Sequence, residues 1–168
     1  MSLPVLQDLV LLCFVALAAA TDLAVRKIPN LLVLGGLAAA LGLQLLPGAS
    51  TLAWLGGALT GLLLLLPLYL LRGMAAGDVK LMAMVGAFTG PLLALQIAGA
   101  TCLIGGLMAL LIVCWRGCLY EAAGNVRALL ARGRRGAAPA PAAASVGGMP
   151  YGVAIALATA LLVWWSRC

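Results

Sequence analysis

The stretch Arg72–Pro91, RGMAAGDVKLMAMVGAFTGP, decides how the chain is read, because it places Asp78 and Lys80 between apolar runs in a sequence with almost no charge to spare. The apolar segment it opens, 78–90, stops at Gly90-Pro91 after about 13 residues. At 1.5 Å per residue such a helix reaches only ~20 Å, short of the ~30 Å hydrocarbon core of a bilayer. It is expected to cross incompletely or to begin below the membrane surface.

Composition excludes an ordinary soluble domain: 65% of the 168 residues are hydrophobic and 8% charged. The chain reads as an all-α, polytopic membrane protein, with the lipid bilayer as its first partner. Its net charge of +6 does not indicate nucleic acid, because the basic residues lie in short segments between apolar runs and form no aromatic-basic surface. Apolar segments fall at roughly 4–21, 31–46, 51–71, 78–90, 92–115 and 150–166, which predicts about six transmembrane helices in a single membrane domain, 1–168. Turn chemistry marks the breaks at Pro29-Asn30, Pro47-Gly48, Gly90-Pro91 and Pro150.

The first segment reads as a helix of the working protein rather than a secretory signal, since Met1–Ala20 carries Asp8 and no positive charge. With the N-terminus outside, alternation puts 22–30, 72–77 and 116–149 in the cytosol. Those segments hold Arg26, Lys27, Arg72, Arg116, Arg127, Arg132, Arg134 and Arg135, with Lys80 just beyond, and leave only Arg167 outside. That distribution follows the positive-inside rule. The loop 116–149 is expected to contain a short amphipathic helix, 119–130, and a flexible linker, 132–148. Gly57 and Gly61 form a small-xxx-small pair suited to close helix packing, and Gln44 and Gln96 are expected near the outer surface.

Of the four acids, Asp8 falls near the outer surface and Glu121 among arginines, while Asp22 and Asp78 reach the same membrane face. They form a candidate pair. A plainer reading makes each a boundary carboxylate in water, Asp78 favouring its helix dipole. The chain has no histidine, which removes the usual imidazole base and the commonest metal ligand. Cys13, Cys102, Cys114, Cys118 and Cys168 form no Cys-x-x-Cys pair and are expected to be small core residues. No metal site and no cofactor are expected, so any catalytic chemistry falls to the carboxylates.

Three stretches, TDLAVRKIPN (Thr21–Asn30), GDVKLMAMVGAFTGP (Gly77–Pro91) and MPYGVAIALA (Met149–Ala158), together resemble the prepilin peptidase family of integral-membrane aspartyl proteases. The resemblance implies that Asp22 and Asp78 are the catalytic dyad, and that Gly77, Pro29, Asn30, Pro150, Tyr151 and Gly152 build the structure around it. Ala75 stands where the family's Gly-x-Gly-Asp motif has its first glycine. Gly77 is retained, for a close backbone approach or a φ that other residues avoid. The loop between the first two helices is too short for the cysteine-rich domain of the bifunctional members. The chain is therefore similar to the short, peptidase-only branch that processes Flp-type pilins, and no methyltransferase activity is expected.

What the resemblance implies is cleavage of prepilin or pseudopilin substrates at the cytosolic face of the bacterial inner membrane. Two close carboxylates cannot both ionise easily, so one acts as base toward water while the other polarises the scissile carbonyl. Which does which stays open. Arg26, Lys27 or Lys80 could meet an acidic residue of the substrate, although basic residues on this face are expected in any case. Three other functions compete: a small proton-coupled transporter, a non-enzymatic subunit of a pilus or secretion assembly, and a protease that cuts within helices.

Overall fold

The computed structural model describes residues 3–45, 51–71, 73–115 and 151–167. All regular structure among them is helical: α1 (Leu3–Val25), α2 (Asn30–Leu45), α3 (Thr51–Leu70), α4 (Ala76–Trp115) and α5 (Tyr151–Trp165). Helix α4 is broken at Gly90, whose φ of 78° and ψ of 173° are non-helical. It is therefore two helices, 76–89 and 91–115, and the described residues hold the six expected helical segments. Pro47-Gly48, Arg72, Glu121, Pro150, Cys118, Cys168 and the loop 116–149 lie outside the described residues.

The chain divides into two compact units, Met1–Ile104 with Pro150–Cys168, and Gly105–Met149. Of the second, only the helical residues 105–115 are described. In the first, α1 packs on α5 and α2, and α2 packs on α3.

Burial is inverted relative to a soluble protein. Asp22 and Asp78 are 7% and 4% exposed, while Leu31, Leu52 and Leu103 are 75% exposed or more. An outer surface of leucine is stable against lipid, not against water. Helices α1, α3 and the stretch Ala76–Ile112 are long and apolar enough to cross a membrane, and α2 and α5 are shorter apolar helices. This is an all-helical membrane protein.

Helices α1, α2, α3 and α5 bury one side each. In α1 the buried residues are Leu11, Val15, Ala18 and Asp22, spaced four, three and four apart as one helix face requires. Asp22 is the last member of that stripe, so the packing that buries Leu11 and Val15 carries the carboxylate inward. The first half of α4 has no free face: Val79 and every residue from 81 to 88 are buried, and only Lys80 between them is exposed. It is the central helix of the bundle.

That helix ends inside the bundle, where Pro91 has no N–H to continue the ladder. Its last carbonyls need donors from elsewhere. Gln7 Nε2 donates to Phe88 O at 2.9 Å and Gln44 Nε2 to Ala87 O at 2.8 Å. Gln44 thus works at the helix break, while Gln96 is exposed. At the opposite end of α1 from Asp22, Asp8 accepts from Arg167 Nε at 2.7 Å, joining α1 to the end of α5.

Gly57 and Gly61 pack as their spacing predicts. A Cβ on Gly57 would strike the backbone of Gly86 and Gly90, and one on Gly61 the backbone of Met82. The cysteine expectation is corrected: Cys13, Cys102 and Cys114 are exposed rather than in the core. The error has a physical source, since a small apolar thiol is equally at home against lipid tails.

Gly57→Ala is expected to lower stability by about 1–3 kcal/mol, the usual range for forcing a methyl group into a packed contact. Gly56→Ala, which meets nothing within 4 Å, is the control. Thermal unfolding in detergent should separate the two, and equal midpoints would disprove the α3–α4 contact.

Candidate active site

Asp22 sits in the last turn of α1 and Asp78 in the first turn of α4. Both line one cavity of about 240 Å³, together with Arg26, Lys27, Ile28, Asn30, Ala75, Ala76, Gly77 and Lys80. Two of the chain's four acids, 56 residues apart in sequence, therefore face the same small space.

The two are held in related ways. Asp78 occupies the third position of its helix, and its Oδ2 accepts the N–H of Ala75, the residue before the helix, at 3.2 Å. This is the reach-back arm of a capping box, in which a side chain at the third position satisfies an orphan donor at the helix start. Asp22 Oδ2 accepts the Gly152 N–H at 2.8 Å, and Gly152 is the second residue of α5. Each carboxylate thus has one oxygen fixed at a helix N-terminus, where the backbone dipole favours negative charge.

The turn between α1 and α2 is shaped around Asp22. Arg26 N donates to Asp22 O at 2.9 Å, and Arg26 has φ 54°, a left-handed conformation uncommon for a non-glycine residue. That geometry ends a helix, here four residues past the acid. Pro29 O then accepts from Leu32 N and Val33 N, starting α2. Asn30, its first residue, uses its side chain across the site: Lys80 Nζ donates to Asn30 Oδ1 at 3.0 Å.

The flanking residues named from sequence sort as follows. Pro29 starts α2, Asn30 and Lys80 bridge α2 to α4, and Arg26 and Lys27 line the cavity. Gly77 makes a close approach: a Cβ there would lie 3.3 Å from Ile28 Cβ. Its φ is not positive, since Gly90 alone has a positive φ among the described glycines. Of its two expected roles only the close approach stands. Gly152 is more tightly bound, because a Cβ would lie 2.8 Å from Asp22 Oδ2 and 3.1 Å from Cγ. Tyr151 opens α5, directly before the glycine that holds Asp22.

Two contributors were not anticipated. Ala75, read from sequence only as a departure from a motif, holds Asp78 through its backbone, a role no side chain reveals. Gln7 was missed although it lies four residues before Leu11 on the buried stripe of α1, the signal that could have found it. Among the described residues no cluster of three or more metal-ligating acids or cysteines occurs.

The profile of the Type IV leader peptidase family matches residues 9–110, a span that contains both aspartates and most of the helices that carry them. No curated protein and no solved structure matches the chain. With well over half of its length in the match, the chain belongs to the type IV leader peptidase family, and is a membrane peptidase.

Gly152→Ala is expected to displace the Asp22 carboxylate and cut peptidase activity at least tenfold, with the protein still inserted and folded. Gly99→Ala, which meets open space, should retain activity. Equal activity of the two variants would show that the Gly152–Asp22 contact does not matter.

Proposed function

We propose that the chain removes the leader peptide of type IV prepilins or pseudopilins, of Flp type, with Asp22 and Asp78 as its catalytic pair. The observation that carries this reading is the shared cavity: two buried carboxyl groups from distant helices, each with one oxygen on a backbone N–H, line a single space. Among the described residues only one oxygen of each acid has a partner, and in this reading the other serves water and substrate. In the proposed cycle one carboxylate takes a proton from water as that water attacks the scissile carbonyl. The other, protonated, donates a hydrogen bond to the carbonyl oxygen. Proton return to the departing amine collapses the tetrahedral intermediate and restores the pair.

The working face is the cytosolic one of the bacterial inner membrane. Arg26, Lys27 and Lys80 cluster at the aspartate end, which favours a cytosolic position by the positive-inside rule. A leader lying in the cytosol ahead of an apolar helix presents its cleavage point at that level, so the helix need not leave the lipid. The α1–α2 connection, residues 26–29 between the two helices, leaves no room for an inserted domain. This supports the peptidase-only branch.

Asp22→Asn and Asp78→Asn should each abolish prepilin cleavage with normal insertion, because an amide keeps the shape but cannot exchange the proton. The double variant should be scarcely worse than either single one, since residues acting as a unit are non-additive. Asp8→Asn, in the ion pair at the far end of α1, should retain most activity. Mass determination of the product decides, and near wild-type processing by either single Asn variant would refute the pair. The same spectra should show the new N-terminus as a free amine. A methyl group added by the purified protein with S-adenosylmethionine would refute the peptidase-only assignment.

A further inference from the structure

A second cavity, of about 340 Å³, adjoins the first. It is lined by Asn30, Val33, Leu34, Leu37, Leu62, Lys80 and Ala83, so it lies between α2, α3 and the central helix. Asn30 and Lys80 belong to both cavities, and the hydrogen bond between them forms the common wall. On one side of that wall are two carboxyl groups with Arg26 and Lys27. On the other side every lining residue is aliphatic. Leu34 is 62% exposed, so the apolar cavity opens on the outer, lipid-facing surface of the bundle.

A binding groove of 300–1,000 Å³ with apolar walls and a few placed polar groups has the usual dimensions of a ligand site. Its occupant must satisfy three conditions. It must be apolar, it must arrive from the bilayer, and, on the leader-peptidase reading, it must be joined to something polar that reaches the aspartates past Lys80 and Asn30. A free acyl chain meets the first two conditions and not the third. A peptide whose polar leader is followed directly by an apolar helix meets all three.

We infer that this groove docks the apolar segment immediately after the scissile bond of the substrate, with Lys80 and Asn30 marking the boundary at which the peptide passes into the catalytic cavity. The inference rests on the leader-peptidase reading above and adds the surface that recognises the retained part of the substrate. Lys80 gives one donor to Asn30 and has others for an acidic side chain or a peptide carbonyl at the junction. The groove aligns the chain, and the carboxyl pair cuts it.

The test is steady-state processing of a full prepilin in proteoliposomes, with a photoreactive residue as a second measurement. Leu34→Trp and Leu62→Trp, which fill the groove, are expected to raise KM at least tenfold with kcat changed no more than about twofold. Leu161→Trp, at a 63% exposed position of α5 that lines neither cavity, should change neither constant. A benzophenone side chain at position 34 should crosslink to the apolar segment of the substrate, and one at position 161 should not. If the groove variants behave like Leu161→Trp while the wild type cleaves, or if position 34 captures lipid alone, the docking inference is overturned and the peptidase reading survives. If the wild type cleaves no leader-bearing substrate, both fall.

Discussion

A carboxylate drawn into an apolar bundle has to find donors there, and the bond between Gly152 N–H and Asp22 is the one on which the rest of this site depends. Asp22 occupies the last turn of its own helix, where the exposed carbonyls repel negative charge. The compensating donor comes from the N-terminus of α5, 130 residues further along the chain. That donor can approach only because Gly152 has no side chain to collide with the acid. Asp78 differs in kind, since it is held by Ala75, three residues away. One member of the pair is set by tertiary packing and the other by local helix chemistry, so distortion of α5 reaches Asp22 first.

The far end of the bundle carries the matching constraint. A face of α1 runs from Gln7 through Leu11, Val15 and Ala18 to Asp22, and it is pinned at both ends: Gln7 to the Phe88 carbonyl and Asp22 to Gly152. Sliding α1 by one turn would break both bonds and leave buried polar groups without partners, each costing about 1–3 kcal/mol. Residues 76–89 span about 21 Å at 1.5 Å per residue, and α1 registers against that length. The break at Gly90 therefore helps to determine where the aspartate end lies. Gly57 and Gly61 complete the arrangement, letting α3 press against the central helix at backbone distance.

Much of this was legible in the sequence because hydropathy and proline are strong signals. The six segments lie within a few residues of their expected bounds, and the Gly90-Pro91 break follows from a residue that cannot donate. The close packing of Gly57 and Gly61 was equally readable. What escaped was facing. In a soluble helix the polar side marks the outside, but here core and lipid are both apolar, so the sequence carries little record of which side is buried. Cysteines expected inside therefore proved exposed, and a central helix buried all round could not be told from one facing lipid. Ala75 escaped for another reason, since its contribution is a backbone N–H that every residue except proline possesses.

The position of the acids along their helices also bears on chemistry. A hydrolase that works on a membrane-anchored peptide needs water at the scissile carbonyl and an apolar surface for the anchor, and these needs exclude each other at the centre of a bilayer. Placing Asp22 in a last turn and Asp78 in a first turn puts the pair where helices end, beside the short Arg26–Pro29 turn and its two cations. On the proposed reading, with this end at the cytosolic face, water reaches that level without a channel through the bundle. Burial still holds each carboxyl in a fixed frame, because the packing that hides Val15 and Ala18 continues to Asp22 and the packing of Val79 and Leu81 continues to Asp78. On that reading the helix ends supply hydration and the buried stripes supply geometry, which is how two acids can be held inward and still meet solvent.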